Sequence, residues 1–320
     1  MGTDSGHPRT QSPPGQPRWR RRLLLAAVVL TIVWAASTWA VAWRLTRRPR
    51  PVRVESPPAL DAAREDLVLR TRDGETLGAW WYEGRPGRPC VLVLHGINAD
   101  RESNGPLIER LVRRGCTTLA ISLRAHGDST GRLNDIGWSA RQDVIAAVDL
   151  LRERHPDRPL AIVGRSMGSA ASIFAAGELS DRVQGYWLEQ PYPTLDSAVW
   201  RRLQSHLPPV FDATAYAGMR LWAPMLIETP ISTIAPVDHI AKIPSSCSIR
   251  VICGDCDAHL PLDDARCVFE PVRDRAAFIV IPGAGHVALD VASPELFERE
   301  LDAFLDSLAP PSPALVGDPL

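Results

Sequence analysis

A chain of 320 residues with 36 Lys and Arg against 37 Asp and Glu has room for one large core with appendages. Its near-balance of charge removes the electrostatic ground for expecting nucleic acid or a strongly acidic partner. Small neutral substrates stay open.

Residues 1–22 are rich in Pro, Gly, Ser and Arg without periodicity and read as a disordered basic leader. From Leu23 to Trp43 the chain carries no charge, and a helix of that length rises roughly 30 Å, enough for one bilayer crossing. Arginines flank both ends, and Trp39 and Trp43 suit an interface. The lipid bilayer is therefore an expected partner through residues 23–43. The rival reading is a cleaved leader, since Ala40-Val41-Ala42 resembles a small-residue cleavage site, although the apolar run exceeds the usual length. Similar basic flanks leave the membrane side of the remaining chain unassigned.

A Pro- and Arg-rich linker spans 44–59, a catalytic domain is expected over 60–308, and residues 309–320 read as a disordered tail. Within the domain, LVLRT, a turn at Asp73-Gly74 and TLGAWWY form an antiparallel hairpin pattern. The apolar runs CVLVLHG, TTLAISL, LAIVG, VQGYWLE, IRVICG and FIVIPG have the continuous character of strands buried on both faces. Helical patterns lie between them, clearest where Val144, Ala147, Val148 and Leu151 share a face. This alternation predicts a doubly wound α/β fold with a mostly parallel sheet. An insertion over about 191–246 is too long for a simple connection and reads as a lid. Trp200, Leu203, Leu207, Phe211, Tyr216, Met219, Trp222 and Met225 are its candidates for lining an apolar pocket, with helix packing as the rival explanation.

Six cysteines (Cys90, Cys116, Cys247, Cys253, Cys256, Cys267) lack the spacing of a zinc site. Buried free thiols are the expected state, and a bridge from Cys253 or Cys247 to Cys267 is the alternative. Neither a metal nor a cofactor is called for.

The chemistry centres on Ser166 within Gly164-Arg165-Ser166-Met167-Gly168, directly after an apolar strand and before a small-residue helix. A serine at so sharp a turn is exposed at the strand end, and it needs a base to take its proton. His286, past the last apolar strand on a Gly-rich loop, has the placement for that base. His206 and His239 fall in the insertion and His259 on the loop expected to carry the acid. That loop offers Asp255 and Asp257, which periodicity does not separate; Glu189 or Asp196 is the fallback.

These motifs resemble the α/β-hydrolase superfamily over roughly residues 66–308, in the style of membrane-anchored esterases, lipases and peptidases. The ordered set comprises His95-Gly96, LRAHGDS, the Ser166 pentapeptide, Gly254–Asp257–Pro261 and His286. The resemblance selects Asp257 as the acid. It implies oxyanion donors at the backbone amides of Met167 and Ile97, with Asn98 second, and a loop-bracing role for His95 and Gly96. It also shows a departure, since relatives more often have Asp where Leu123 stands. The expected activity is hydrolysis of an ester or thioester, with lipid-like acyl chains as substrates, through an acyl-serine intermediate. Peptidase or amidase chemistry on the same triad is the alternative, and a non-catalytic membrane-bound binding module is the alternative from another class.

Overall fold

The computed structural model describes residues 18–48, 52, 54, 56–60, 62–286 and 289–308. The first element is a helix, α1 (Arg18–Thr46). It is long and apolar enough to cross a membrane, and it lies between Pro17 and Pro49, whose rings disfavour helical continuation. Part of the expected leader is thereby corrected. Residues 18–22 form the first turn of α1, because the arginines there are good helix formers and join the apolar run without a breaker. Residues 1–17 and the tail 309–320 lie outside the described residues.

The described residues at the start of the stretch expected as a linker are also tied down. Arg44 to Thr46 are still helical, Arg47 bridges to Leu133, and the Arg48 and Val52 amides donate to the carbonyls of Arg132 and Gly127 at 3.0 and 2.8 Å.

The sheet starts with a hairpin, β1 (Arg64–Arg70) and β2 (Thr76–Tyr82). In chain order there follow β3 (Cys90–Leu94), α2 (Gly105–Arg113), β4 (Thr117–Ile121), α3 (Arg141–Arg154), β5 (Leu160–Arg165) and α4 (Met167–Leu179). The chain continues with β6 (Gly185–Glu189), α5 (Leu195–Gln204), α6 (Phe211–Leu226), β7 (Ser248–Gly254), α7 (Leu262–Phe269) and β8 (Ala276–Ile281). Last come α8 (Leu289–Ala292) and α9 (Pro294–Ser307).

The eight strands are ordered β1-β2-β4-β3-β5-β6-β7-β8. β2 is antiparallel to both of its neighbours, and every other pairing is parallel. β8, expected to be buried on both faces, is only half-buried because it is an edge strand, whereas the apolar runs of β3 to β7 are largely buried because helices cover both faces. Leu107, Ile108 and Leu111 of α2 and Phe297, Leu301 and Phe304 of α9 pack on one; Val144, Val148 and Leu151 of α3 and Ile173 of α4 pack on the other.

The strand order reverses at β3. The chain steps outward to β4 and then returns to β5 on the opposite side, so the loops leaving the carboxyl ends of β3 and β5 diverge and leave a crevice between them. The His95–Ile97 loop and Ser166 flank that crevice.

All six cysteines are free, so the alternative bridge to Cys267 is not formed. Cys256 and Cys267 are exposed, not buried as expected, because one sits in the turn after β7 and the other on α7 pointing outward.

Candidate active site

Ser166 stands between β5 and α4 with φ 49° and ψ −108°, a left-handed conformation that costs a non-glycine residue of order 1–3 kcal/mol. The surroundings hold it there. The Ser166 amide donates to Glu189 O at 2.8 Å, and Ser169 Oγ donates to Gly164 O and Glu189 O at 2.6 and 2.8 Å. Close approach explains Gly168: a Cβ at that position would lie 2.8 Å from Leu94 Cβ and from His95 O. The glycine therefore lets α4 start directly against the end of β3.

His286 follows β8 on a loop pressed onto the end of β7. A Cβ on Gly254 would collide with the Ala284 carbonyl of that loop, and Gln190 Nε2 donates to Gly285 O at 2.6 Å. His286 Nδ1 is 2.8 Å from Asp257 Oδ2. The other Asp257 oxygen accepts from the His259 and Leu260 amides at 2.8 and 2.9 Å, and its side chain is wholly buried. An acceptor-only carboxylate on Nδ1 fixes that nitrogen as the donor in the neutral ring and leaves Nε2 free to accept a proton.

Ser166 and His286 line one apolar cavity together with Ile97, Tyr192, Leu195, Met219 and Leu260. Among the described residues no hydrogen bond joins the Ser166 hydroxyl to the His286 ring. The geometry thus brings His286 and Asp257 into direct contact and places Ser166 with His286 in the lining of one cavity.

The other carboxylates are engaged elsewhere. Asp255 accepts from the Gly283 amide at 2.7 Å and braces the turn ahead of His286. Glu189, fully buried, receives Arg165 Nε at 2.9 Å and Trp187 Nε1 at 3.0 Å; the Glu189 charge holds the Arg165 guanidinium above its ordinary range. Asp196 is bonded to Tyr216 and lies 3.5 Å from Arg220.

Two backbone amides suit an oxyanion. Met167 is the first residue of α4, where amides have no partner within the helix. Ile97 lines the cavity, and among the described residues its amide has no acceptor. Asn98 follows at φ 58°. Gly96 sits beside the serine, where a Cβ would stand 3.7 Å from Ser166 Cβ.

His95 is fully buried. Its Nε2 accepts from the Leu123 amide at 2.9 Å, so the Nδ1 proton goes to Gly96 O at 2.7 Å. Burial, aided by His126, lowers its pKa to about 3, which keeps the ring neutral. The ring ties the Gly96 loop to Leu123, two residues past β4, and uses only its amide, which is why a leucine serves.

The insertion departs from expectation in detail. Of the eight apolar candidates only Tyr216 and Met219 line the cavity. Phe211 and Met225 are exposed, Trp222 stacks edge-on with Trp39 of α1, and Trp200 packs on Tyr216. Two paired helices can turn only one face each to the site, so a set drawn from all faces scatters.

Two contributors escaped sequence reasoning. His259 lines the cavity and lies edge-on to His286, ring centroids 5.4 Å apart; its position two residues after Asp257 is a signal that could have revealed it. Ala42, Leu45 and Thr46 of α1 also line the cavity, and no local pattern announces that. Among the described residues no cluster of His, Cys, Asp or Glu is arranged to hold a metal ion.

Comparison with known proteins agrees with this architecture. A family described as alpha/beta hydrolase fold matches residues 89–231. An esterase of Pyrococcus furiosus superposes with a TM-score of 0.69 at 22% identity, over 83% of this chain and 99% of that one. An uncharacterized protein of Mycobacterium tuberculosis is 27% identical over 267 residues, 82% of this chain and 85% of its own length. Monoglyceride lipase of Rattus norvegicus is 28% identical over 127 residues, 38% of this chain and 42% of its own. The chain has the α/β-hydrolase fold.

Proposed function

We propose that the chain is a membrane-anchored serine hydrolase that cleaves an ester or thioester of a lipid-like acyl group. One observation carries the reading: His286, oriented by Asp257, opens into the same apolar cavity as Ser166. Substrate binding brings the serine hydroxyl and the free Nε2 within reach, since catalytic hydrogen bonds often tighten only in the complex.

His286 Nε2 takes the hydroxyl proton while Ser166 Oγ bonds to the acyl carbon, and the carbonyl electron pair moves onto oxygen. The resulting oxyanion is received by the Ile97 and Met167 amides, donors of a kind worth about 2.7–4 kcal/mol each. Collapse of the intermediate breaks the bond to the leaving oxygen or sulfur, which departs with the proton from His286. Water then gives a proton to His286 and its oxygen to the acyl carbon; the bond to Ser166 Oγ breaks, His286 returns the proton to Oγ, and the carboxylic acid is released. The esterase and monoglyceride lipase among the similar proteins support ester chemistry.

Retention of α1 as an anchor is supported by its packing. Cleavage after Ala42 would strip Thr38 and Ala42, both buried against the domain. Intact mass of the membrane-bound protein checks this directly, since removal of residues 1–42 would reveal a processed leader.

A fluorophosphonate probe on the full chain in detergent tests the function. Wild type is expected to be labelled and Ser166→Ala not. Labelling that persists in Ser166→Ala, or folded wild type that takes no label, overturns the proposal.

A further inference from the structure

The carboxyl half of α1 is docked on the insertion. Trp34, Thr38, Ala42 and Leu45 recur every three or four residues and are the least exposed positions of its stripe, the spacing of one helical face. Trp34 Nε1 donates to Thr214 O and Trp222 Nε1 to Thr38 Oγ1, each at 3.0 Å. Thr38 packs so closely on α6 that a Cβ at Gly218 would lie 2.6 Å from it. Contacts from 34 to 214 and from 38 to 218 advance together, so α1 and α6 run parallel. Further along the same face, Ala42, Leu45 and Thr46 reach the cavity that holds Ser166, with Met219, Ala223 and Leu226 from α6 beside them.

Length places this seam at lipid depth. The uncovered apolar part of α1, residues 23–33, rises only about 16 Å, roughly half of a hydrocarbon core of about 30 Å. A crossing therefore has to include residues 34–43, which carry α6 with them. The outward residues Phe211, Leu221 and Met225 of α6 are exposed and apolar, as contact with lipid requires. The indole donors of Trp34 and Trp222 are satisfied across the helix pair, which hydrocarbon demands of buried polar groups.

We propose that the anchor helix is itself a wall of the substrate site: the acyl chain of a lipid-like ester lies against Ala42, Leu45, Met219 and Ala223 with its carbonyl at Ser166. The inference rests on the serine hydrolase reading and makes Ala42 a specificity-determining residue. An alanine leaves the slot open where a larger side chain would fill it. Leu45 bounds the same slot one turn closer to the domain.

The test uses the full chain in lipid vesicles of phosphatidylcholine, with p-nitrophenyl acetate, butyrate, octanoate and palmitate as substrates. Ala42→Phe is expected to lower the palmitate-to-acetate ratio of kcat/KM at least tenfold, and Leu45→Ala to raise it. Leu30→Phe, on the uncovered part of α1, is expected to keep the wild-type ratio. An unchanged ratio in both Ala42→Phe and Leu45→Ala, with wild-type fluorophosphonate labelling, overturns the wall and leaves the hydrolase reading standing. Folding failure of Ala42→Phe leaves Leu45→Ala to decide. Wild type that takes no label overturns both.

Discussion

Asp257 uses its two oxygens for two different tasks: Oδ2 meets His286 Nδ1 at 2.8 Å, and Oδ1 is held by two backbone amides. The carboxylate is thus fixed before it orients the imidazole. Asp257→Asn keeps the shape but replaces an acceptor by an amide that can force the wrong ring tautomer, a change worth about 10⁴ in kcat in a comparable triad. Asp255→Asn, which touches the Gly283 turn and not His286, is expected to change kcat by a few-fold at most. Steady-state kinetics on p-nitrophenyl butyrate separate the two, and equal losses would unseat Asp257.

Glu189 looks like a candidate acid by chain position but is the partner of Arg165. Glu189→Gln leaves a guanidinium uncompensated beside Ser166, and breaking one side of a buried pair costs about 3–5 kcal/mol. Urea unfolding should show that loss. A variant of normal stability with abolished turnover would return Glu189 to the chemistry.

At Gly168 a single methyl group has nowhere to go. Gly168→Ala pushes the start of α4 from the end of β3, an overpacking cost of about 1–3 kcal/mol. The thermal midpoint is expected to drop, and the folded fraction should react with fluorophosphonate more slowly because Ser166 and the Ile97 loop part. Wild-type behaviour in both assays would mean the crevice is looser than the packing indicates.

His95 predicts acid lability with a defined sign. Its pKa is lowered by burial to about 3 in the folded chain, against about 6.5 when unfolded. Between those values the unfolded chain binds a proton that the folded one refuses, so stability is full above about pH 6.5 and falls as pH drops, by roughly 1.4 kcal/mol per unit. His95→Gln can keep an acceptor for the Leu123 amide without titrating. The stability gap between wild type and His95→Gln is therefore expected to narrow from pH 7 to pH 5. A gap that stays constant in urea titrations would show that the ring takes up its proton when folded.

The sheet was legible because strands covered by helices on both faces must be apolar throughout, and the runs around Val91, Ala161 and Val251 are. The tight Ser166 turn was legible because close approach at Gly168 leaves a trace in the letters. Separating Asp257 from Asp255 needed either family resemblance or coordinates, since both follow β7 and only the path of the loop decides which meets His286. The orientation of the insertion was not legible at all. Phe211, Met219 and Trp222 have the same apolar character, yet one is exposed, one faces the cavity and one meets α1, and that sorting is set by a helix nearly two hundred residues earlier.

Ala42, Leu45 and Thr46 belong to the same cavity as Ser166. Trimming the chain at about residue 48 to gain solubility would accordingly take away a side of the receptacle along with the grease. Whatever turnover such a shortened protein displayed would describe a gaping vessel, and a ligand screen run on it would reward molecules that fill a space the whole molecule does not have.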